Sequence, residues 1–140
     1  MTKFFLIIFF LYSFLYTNIF AKNSFFAEGE KLYKEKKFSQ SKFKFEKDIV
    51  FNPKNEKSYL YLAKIFNYQK DDFMEEQNLN TVILLNPRNE EALYLLVLLN
   101  IKKSDYIKSK KLINDFKKVC NSFCLKESEL KKKLENLEPK

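Results

Sequence analysis

Apolar residues recur at intervals of three and four along most of the chain, which places them on one face of an α-helix. Two such sets follow one another in the middle of the chain, within 59–66 and 79–85. The segment 92–99 is apolar almost all round and predicts the most buried helix of the protein. One further amphipathic helix is predicted near the end of the chain, with apolar positions at Leu125, Leu130, Leu134 and Leu137.

Two nearly identical segments, NPKNE and NPRNE, interrupt this pattern with their prolines at Pro53 and Pro87. The two prolines are 34 residues apart (87 − 53), and a fixed period of this length is typical of stacked helical hairpins. Proline ends a helix because it has no backbone N–H to donate. Asn55 and Asn89 then stand where a side-chain oxygen caps the following helix. Each segment therefore predicts the end of one helix and the start of another.

Large, small and aromatic residues take fixed places ahead of the first proline, and these places are filled by Phe25, Gly29, Phe38, Ser41, Phe45 and Pro53. This arrangement resembles a unit of the tetratricopeptide repeat (TPR) family, in which small residues let two antiparallel helices approach closely. The resemblance implies an all-α protein, an α-solenoid of three hairpins followed by a capping helix with a polar outer face. The expected hairpins are 22–55, 56–89 and 90–123, and the capping helix and tail are 124–140.

The second repeat departs from the pattern at its internal turn. In the first repeat, helices are expected at about 24–36 and 39–51. In the second, Phe73 falls one place later than the expected aromatic, and Glu75 occupies the place of a small residue. We therefore expect a turn that is one residue longer, around 69–72.

In the TPR family, the first helices of successive hairpins line a concave groove that holds a segment of another protein. The resemblance implies such a groove here, and its aromatic and basic side chains fit an acidic and apolar peptide. The alternative is that these side chains pack helix against helix. The implied groove residues are Phe26, Glu30, Tyr33 and Lys34 in the first repeat, Leu60, Lys64, Asn67 and Tyr68 in the second, and Tyr94, Leu98, Ile101 and Lys102 in the third.

Some members of the family hold a C-terminal carboxylate between paired lysine, arginine and asparagine side chains. The resemblance does not extend to that clamp, because the matching places here are occupied by Phe26, Glu30, Tyr61, Glu91 and Leu95.

A short basic start containing Lys3 precedes a nearly continuous apolar run from Phe4 to Tyr16. This layout is typical of a secretory signal peptide, with cleavage expected after Ala21. Residues 1–21 are therefore interpreted as a signal peptide or, if they are not cleaved, as a signal anchor that spans a bilayer with residues 4–20. The protein is expected to be exported, in the periplasm or cell envelope. It would meet a membrane only through this segment.

The composition disfavours an enzyme. The chain has no histidine, no tryptophan and one glycine, which removes the usual materials of a nucleophile–base pair, a zinc site or a phosphate loop. The formal charge is +8, but lysines alternate with acidic residues, as on a solvated helix surface. The export signal disfavours nucleic acid as a partner. We expect no catalytic residue, no cofactor and no metal.

Cys120 and Cys124 are the only cysteines, and they flank the place where the third repeat lacks its proline. In an exported chain an even cysteine count favours a disulfide, here replacing the proline segment as a stabiliser of the turn. Two free thiols or a redox pair are the alternatives, although the spacing differs from C-x-x-C.

The sequence is compatible with two functions. The first is an exported scaffold or adaptor that binds a peptide segment of an envelope partner. The second is a membrane-anchored structural factor, tethered by an uncleaved N-terminal helix and attracted to anionic lipid by its positive charge.

Overall fold

The computed structural model describes residues 25–137, and these residues form helices joined by short turns, with no strand among them. The signal peptide or anchor predicted for residues 1–21 lies outside the described residues. No helix within 25–137 combines the length and apolarity needed to cross a bilayer. The helices are α1 (25–34), α2 (Phe38–Phe51), α3 (Glu56–Gln69), α4 (Asp72–Leu85), α5 (Glu90–Lys102), α6 (Tyr106–Val119) and α7 (Lys126–Leu137).

Contacts divide the described chain into two compact units, unit 1 up to Ser58 and unit 2 from Tyr59 onward. In unit 1, α1 and α2 approach closely at Gly29. A Cβ atom at Gly29 would lie 2.7 Å from Cε1 of the buried Phe45 ring, so a larger residue would displace that ring. The hydroxyl of Ser41 donates a hydrogen bond to the carbonyl oxygen of Gly29, at 2.9 Å. These small residues let the two helices pack closely, as the sequence predicts.

The loop between α2 and α3 is held by polar contacts around a buried carboxylate. Asp48 is 1% exposed, and its Oδ2 accepts hydrogen bonds from Asn55 Nδ2 at 2.7 Å and from the hydroxyl of Ser58 at 2.5 Å. Charge-assisted hydrogen bonds of this kind offset part of the loss of water around the carboxylate, whose Oδ1 is buried and accepts no hydrogen bond from the described residues. Asn55 therefore joins the end of α2 to the start of α3.

Unit 2 has two apolar clusters that share α5. One cluster joins α3, α4 and α5, and the other joins α5, α6 and α7. Both faces of α5 are therefore covered, in agreement with its nearly continuous apolar sequence. The buried members of the second cluster are Leu93, Val97, Ile101, Ile113, Phe116, Leu130 and Leu134.

The prediction of a longer turn in the second repeat is wrong. Lys36, Lys70 and Ser104 all have positive φ values, between 58° and 60°, and they are 34 residues apart. In each turn the next residue donates its N–H to the carbonyl five positions earlier, as from Asp71 to Phe66 at 3.0 Å. This is a Schellman-type helix end, in which glycine is the usual residue with positive φ. This helix end could not be recognised in the sequence because Lys36, Lys70 and Ser104 occupy the position with positive φ, where glycine is usual.

Because the three turns have equal length, Asp72 and not Phe73 occupies the place of the aromatic residue. Phe73 is exposed to solvent, and Glu75 occupies the place that Ser41 and Ser109 have in the other repeats. Asp71 begins α4 by accepting the N–H of Met74, at 3.0 Å. The irregularity of the second repeat is therefore a change of residue types in an unchanged backbone.

The ends of the predicted helices shift by a few residues. α1 ends at residue 34 instead of 36 because the chain turns at Lys36, and α2 begins at Phe38. The capping helix begins at Lys126, which leaves Leu125 almost fully exposed. Leu130 and Leu134 are the buried members of its apolar stripe, whereas Leu137 is half exposed.

Candidate functional site

A cavity of about 400 Å³ opens on unit 2 between the end of α3, the second half of α5 and the end of α7. Its floor is apolar, and its rim carries two lysines and an amide. The lining residues are Asn67, Leu98, Leu99, Ile101, Lys102, Lys133 and Leu137. Four of these, Asn67, Leu98, Ile101 and Lys102, are among the groove residues implied by the sequence. The other three were not predicted, and two of them come from α7.

The amide on the rim is fixed by a buried carboxylate. Asn67 Nδ2 donates hydrogen bonds to Oε1 and Oε2 of Glu75, at 3.0 and 2.9 Å. Glu75 is 2% exposed, and burial raises the pKa of its carboxyl, while the hydrogen bond from Asn67 and the charge of Lys102 act in the opposite direction. The fixed 34-residue spacing from Ser41 and Ser109 is the sequence signal that identifies this position.

Lys102 stands on the rim of the cavity and bridges to the preceding hairpin. Its Nζ lies 2.5 Å from Oδ1 of Asp72 at the start of α4. Lys103 and Lys108 likewise contact Glu76, which lowers the pKa of that carboxyl. The second and third hairpins are thus joined by lysines that reach two acidic residues near the start of α4, Asp72 and Glu76. Lys133, the other rim lysine, is exposed on α7.

Helix α7 covers part of the face on which the groove was predicted. The hydroxyl of Tyr94 donates to Oε1 of Glu129 at 3.3 Å, and the Tyr94 ring lies 6.1 Å from the ring of Phe123. Lys126 Nζ lies 5.9 Å from the centre of the Tyr94 ring. Burial and the charge of Glu129 raise the pKa of Tyr94. Tyr94 therefore contacts the chain's own last helix.

The loop that leads into α7 is closed by a disulfide between Cys120 and Cys124, whose Cα atoms are 5.1 Å apart. Residues 120–124 are called the disulfide loop below. The carboxylate of Glu90, at the start of α5, accepts the backbone N–H groups of Asn121 and Phe123, both at 2.8 Å. These hydrogen bonds lower the pKa of Glu90. In the sequence, Glu90 is only the last residue of the NPRNE segment, and nothing there links it to residues 121–123.

The remaining groove residues of the second repeat differ in accessibility. Leu60 is part of the core, with 8% of its surface exposed, so it offers little area to a partner. Lys64 forms an ion pair with Glu91, at 2.7 Å, and its Nζ lies 5.1 Å from the centre of the Tyr61 ring. Tyr68 is 68% exposed.

The groove residues of the first repeat belong to unit 1. The Phe26 ring lies 5.8 Å from the Phe45 ring, and the Tyr33 ring contacts Phe38 edge to face at 5.4 Å. Both aromatic side chains are half-buried, and Lys34 is exposed. Phe26 and Tyr33 therefore contribute to packing within their own hairpin, which is the alternative that the sequence left open.

No family model matches this chain, and no curated protein matches it. Solved structures do match it. The TPR2B domain of yeast Sti1, in a complex with pHsp70, has a TM-score of 0.75 at 14% identity over 84% of this chain and 98% of its own. The Arabidopsis OM64 TPR domain has a TM-score of 0.74 at 17% identity, with coverages of 85% and 98%. The first TPR of Spaghetti (RPAP3), bound to the HSP90 peptide SRMEEVD, has a TM-score of 0.71 at 18% identity, with coverages of 83% and 92%.

These structures share the fold of the chain. The predicted all-α, TPR-like α-solenoid is therefore confirmed, as is the resemblance drawn from the large, small and aromatic residues of the first repeat.

Proposed function

We propose that this protein is an exported scaffold that binds an acidic and apolar peptide segment of an envelope partner in the cavity of unit 2. The observation that carries the proposal is the composition of that cavity, an apolar floor with two cationic groups on its rim. Its volume of about 400 Å³ is within the range of pockets that hold small ligands, and it accommodates one or two side chains of a bound segment.

Each part of the cavity has a matching part in such a peptide. Leu98 and Leu137 offer apolar surface to a large aliphatic or aromatic side chain. Lys102 and Lys133 offer ammonium groups to a carboxylate next to that side chain. Lys102 is paired with Asp72, and the charge of Lys133 acts on Glu129 one turn earlier on α7, so both lysines share their charge between the protein and the ligand.

The solved structures of similar fold support a protein partner. The yeast Sti1 domain is in a complex with pHsp70, and the Spaghetti domain is bound to an HSP90 peptide rich in acidic residues. Their identity to this chain is 14% and 18%, so the composition of the unit 2 cavity, and not the likeness, argues for the chemistry of the ligand.

Export is supported by the sequence of residues 1–21, a basic start followed by an apolar run and Ala21. Cell fractionation with N-terminal sequencing tests it, and a soluble mature chain beginning at Lys22 is the expected result. Recovery of the intact chain in the membrane fraction would instead favour the second candidate, a structural factor tethered by residues 4–20. The apolar run and the charge of +8 are what favour that candidate.

The peptide site is tested by fluorescence anisotropy with a labelled peptide of alternating leucine and glutamate, compared with the same peptide carrying lysine in place of glutamate. The acidic peptide is expected to bind more tightly, and added salt is expected to weaken its binding. Lys133→Glu is expected to lower the affinity about fivefold to tenfold.

Lys132→Glu is the matched control, because Lys132 is the exposed neighbour of Lys133 on α7 and does not line the cavity. Equal loss of affinity in the two variants would mean that only the net charge matters. Equal binding of the acidic and basic peptides would exclude the proposed ligand chemistry.

A further inference from the structure

Helix α7 forms one wall of the unit 2 cavity, and the disulfide loop leads into that helix. Lys133 and Leu137 of α7 line the cavity, and the loop sets where α7 begins. The first N–H groups of α7, those of Lys126 and Glu127, donate to the carbonyl oxygens of Phe123 and Cys124, at 2.8 and 3.1 Å. The start of α7 therefore depends on the conformation of the loop, while Leu130 and Leu134 pack the rest of the helix on α5 and α6.

The disulfide also arranges the loop for Glu90. The N–H groups of Asn121 and Phe123 point toward one carboxylate, and the N–H of Ser122 lies 3.4 Å from its other oxygen. Successive backbone N–H groups that converge in this way form a nest for an anion. Because Cys120 and Cys124 enclose all three donors, the covalent bond keeps the nest in the shape that Glu90 fills.

A second set of contacts continues from the loop to α5. Phe123 packs against Tyr94, and the Tyr94 hydroxyl donates to Glu129 on α7. Tyr94 lies one helical turn after Glu90 on the same helix, so the two residues hold the loop and the start of α7 side by side.

We infer that the disulfide loop is a redox-sensitive clasp, whose reduction loosens α7 from α5 and thereby weakens ligand binding in the unit 2 cavity. The effect on ligand binding rests on the proposed function, whereas the release of α7 does not. The partner that reduces the disulfide is a dithiol.

The reaction is thiol–disulfide exchange. One thiolate of the dithiol attacks Sγ of Cys124, the exposed member of the pair, and the thiolate of Cys120 leaves. The second thiolate of the dithiol then attacks the mixed disulfide and releases Cys124. The dithiol becomes a disulfide, the protein gains two electrons, and the two protons of the dithiol finish on Cys120 and Cys124.

Hydrogen–deuterium exchange of the whole protein, with and without dithiothreitol, tests the release of α7. Mass spectrometry of the alkylated, non-reduced protein first establishes that the bond is present, and two freely alkylated thiols would overturn the inference. On reduction, exchange in 126–137 is expected to speed up by about thirtyfold at most, the size that chain entropy gives for so short a loop. Exchange in α3 and α4 serves as the internal reference and is expected to change by less than about twofold.

Two variants complete the experiment. The double variant Cys120→Ser and Cys124→Ser is expected to exchange like the reduced protein and to be insensitive to dithiothreitol. Glu90→Gln, with the disulfide intact, is expected to speed up exchange in α7 by a smaller factor. An α7 that keeps its protection on reduction would overturn the inference, and so would an equal loss of protection throughout unit 2.

The anisotropy assay with the acidic peptide, repeated on oxidised and reduced protein, measures the second part. Weaker binding after reduction is expected, because two of the lining residues belong to α7. Equal affinity in the two states would overturn the link between clasp and cavity. Absence of binding in both states, together with faster exchange in α7, would overturn the proposed function and leave the redox-sensitive release of α7 intact.

Discussion

Two loops of unit 2 end their hairpins in different ways. Both begin alike, since Asn86 donates its N–H to Val82 at 2.7 Å and Cys120 donates to Phe116 at 2.8 Å. The first loop then continues with Pro87, and Oδ1 of Asn89 accepts the N–H of Ala92 at 2.9 Å, so its closure is local. The second loop has no proline and takes its acceptor from another helix.

The second loop reaches Glu90, which lies 31 to 33 residues earlier in the chain. The difference shows that the free N–H and C=O groups at helix ends need partners, but not partners of a fixed type. In a proline segment, neighbouring residues supply the hydrogen-bond partners, and the segment can be recognised in the sequence. In the second loop, a distant carboxylate supplies the partner and a disulfide closes the loop, so both depend on the tertiary structure.

The largest expected effect is a difference in the free energy of unfolding between two substitutions of the apolar residues that precede the two loops. Val82 and Phe116 occupy the same place one repeat apart and are both fully buried, but Phe116 joins the cluster that holds α7. Phe116→Ala is expected to lower the free energy of unfolding by about 3–5 kcal/mol, and Val82→Ala by about 2 kcal/mol. Urea unfolding followed by circular dichroism measures both, and equal losses would contradict the comparison.

The next effect concerns the polar contact that marks the second repeat. Asn67→Ala removes both hydrogen bonds to the buried carboxylate of Glu75 and is expected to cost about 1–3 kcal/mol. The double variant with Glu75→Ser, the residue found at the matching places of the other repeats, is expected to recover part of the loss. Additive losses in the double variant, measured by the same unfolding experiment, would argue that the two side chains act independently.

A smaller effect compares the loops themselves. Asn89→Ala removes the cap of α5 and is expected to cost about 1 kcal/mol. Asn121→Ala keeps the backbone N–H that Glu90 accepts and is expected to change the melting temperature little. Asn121→Pro restores the residue type of the other loops but removes that N–H, so it is expected to melt at a lower temperature than Asn121→Ala. A proline variant that melts higher would mean that the second loop also closes locally.

The smallest effects concern two glutamates whose contributions to the stability of the folded state change in opposite directions with pH. Burial raises the pKa of Glu75, so the folded state binds its proton more strongly than the unfolded state. The resulting stabilisation is complete at low pH and is lost as pH rises through the raised pKa. The pKa of Glu90 is lowered by the loop N–H groups, so its stabilisation is present above the ordinary value of about 4.5 and is lost as pH falls through the lowered pKa.

Thermal melts from pH 3 to pH 8 test both signs. Relative to the unaltered protein, Glu75→Gln is expected to gain stability as pH rises. Glu90→Gln is expected to lose stability over the same range, with its smallest difference from the unaltered protein at the acid end. Two profiles with the same sign would show that one of the two environments is misassigned.

The sequence by itself determined the helices, the 34-residue repeat and the TPR-like fold. These features depend on residues close together in the chain, through the spacing of apolar positions and the helix ends at the proline segments. It also placed Asn67, Leu98, Ile101 and Lys102, four of the cavity residues, since their repeat positions imply one face. It misread the second turn because positive φ at Lys70 carries no glycine signal.

Only the tertiary structure decided which residues meet across helices. Glu75 is buried against Asn67, Glu90 binds a loop more than thirty residues away, and Lys133 and Leu137 complete a cavity that begins on α3. Such contacts depend on how α7 packs on α5, and side chains brought together in this way follow no period along the chain.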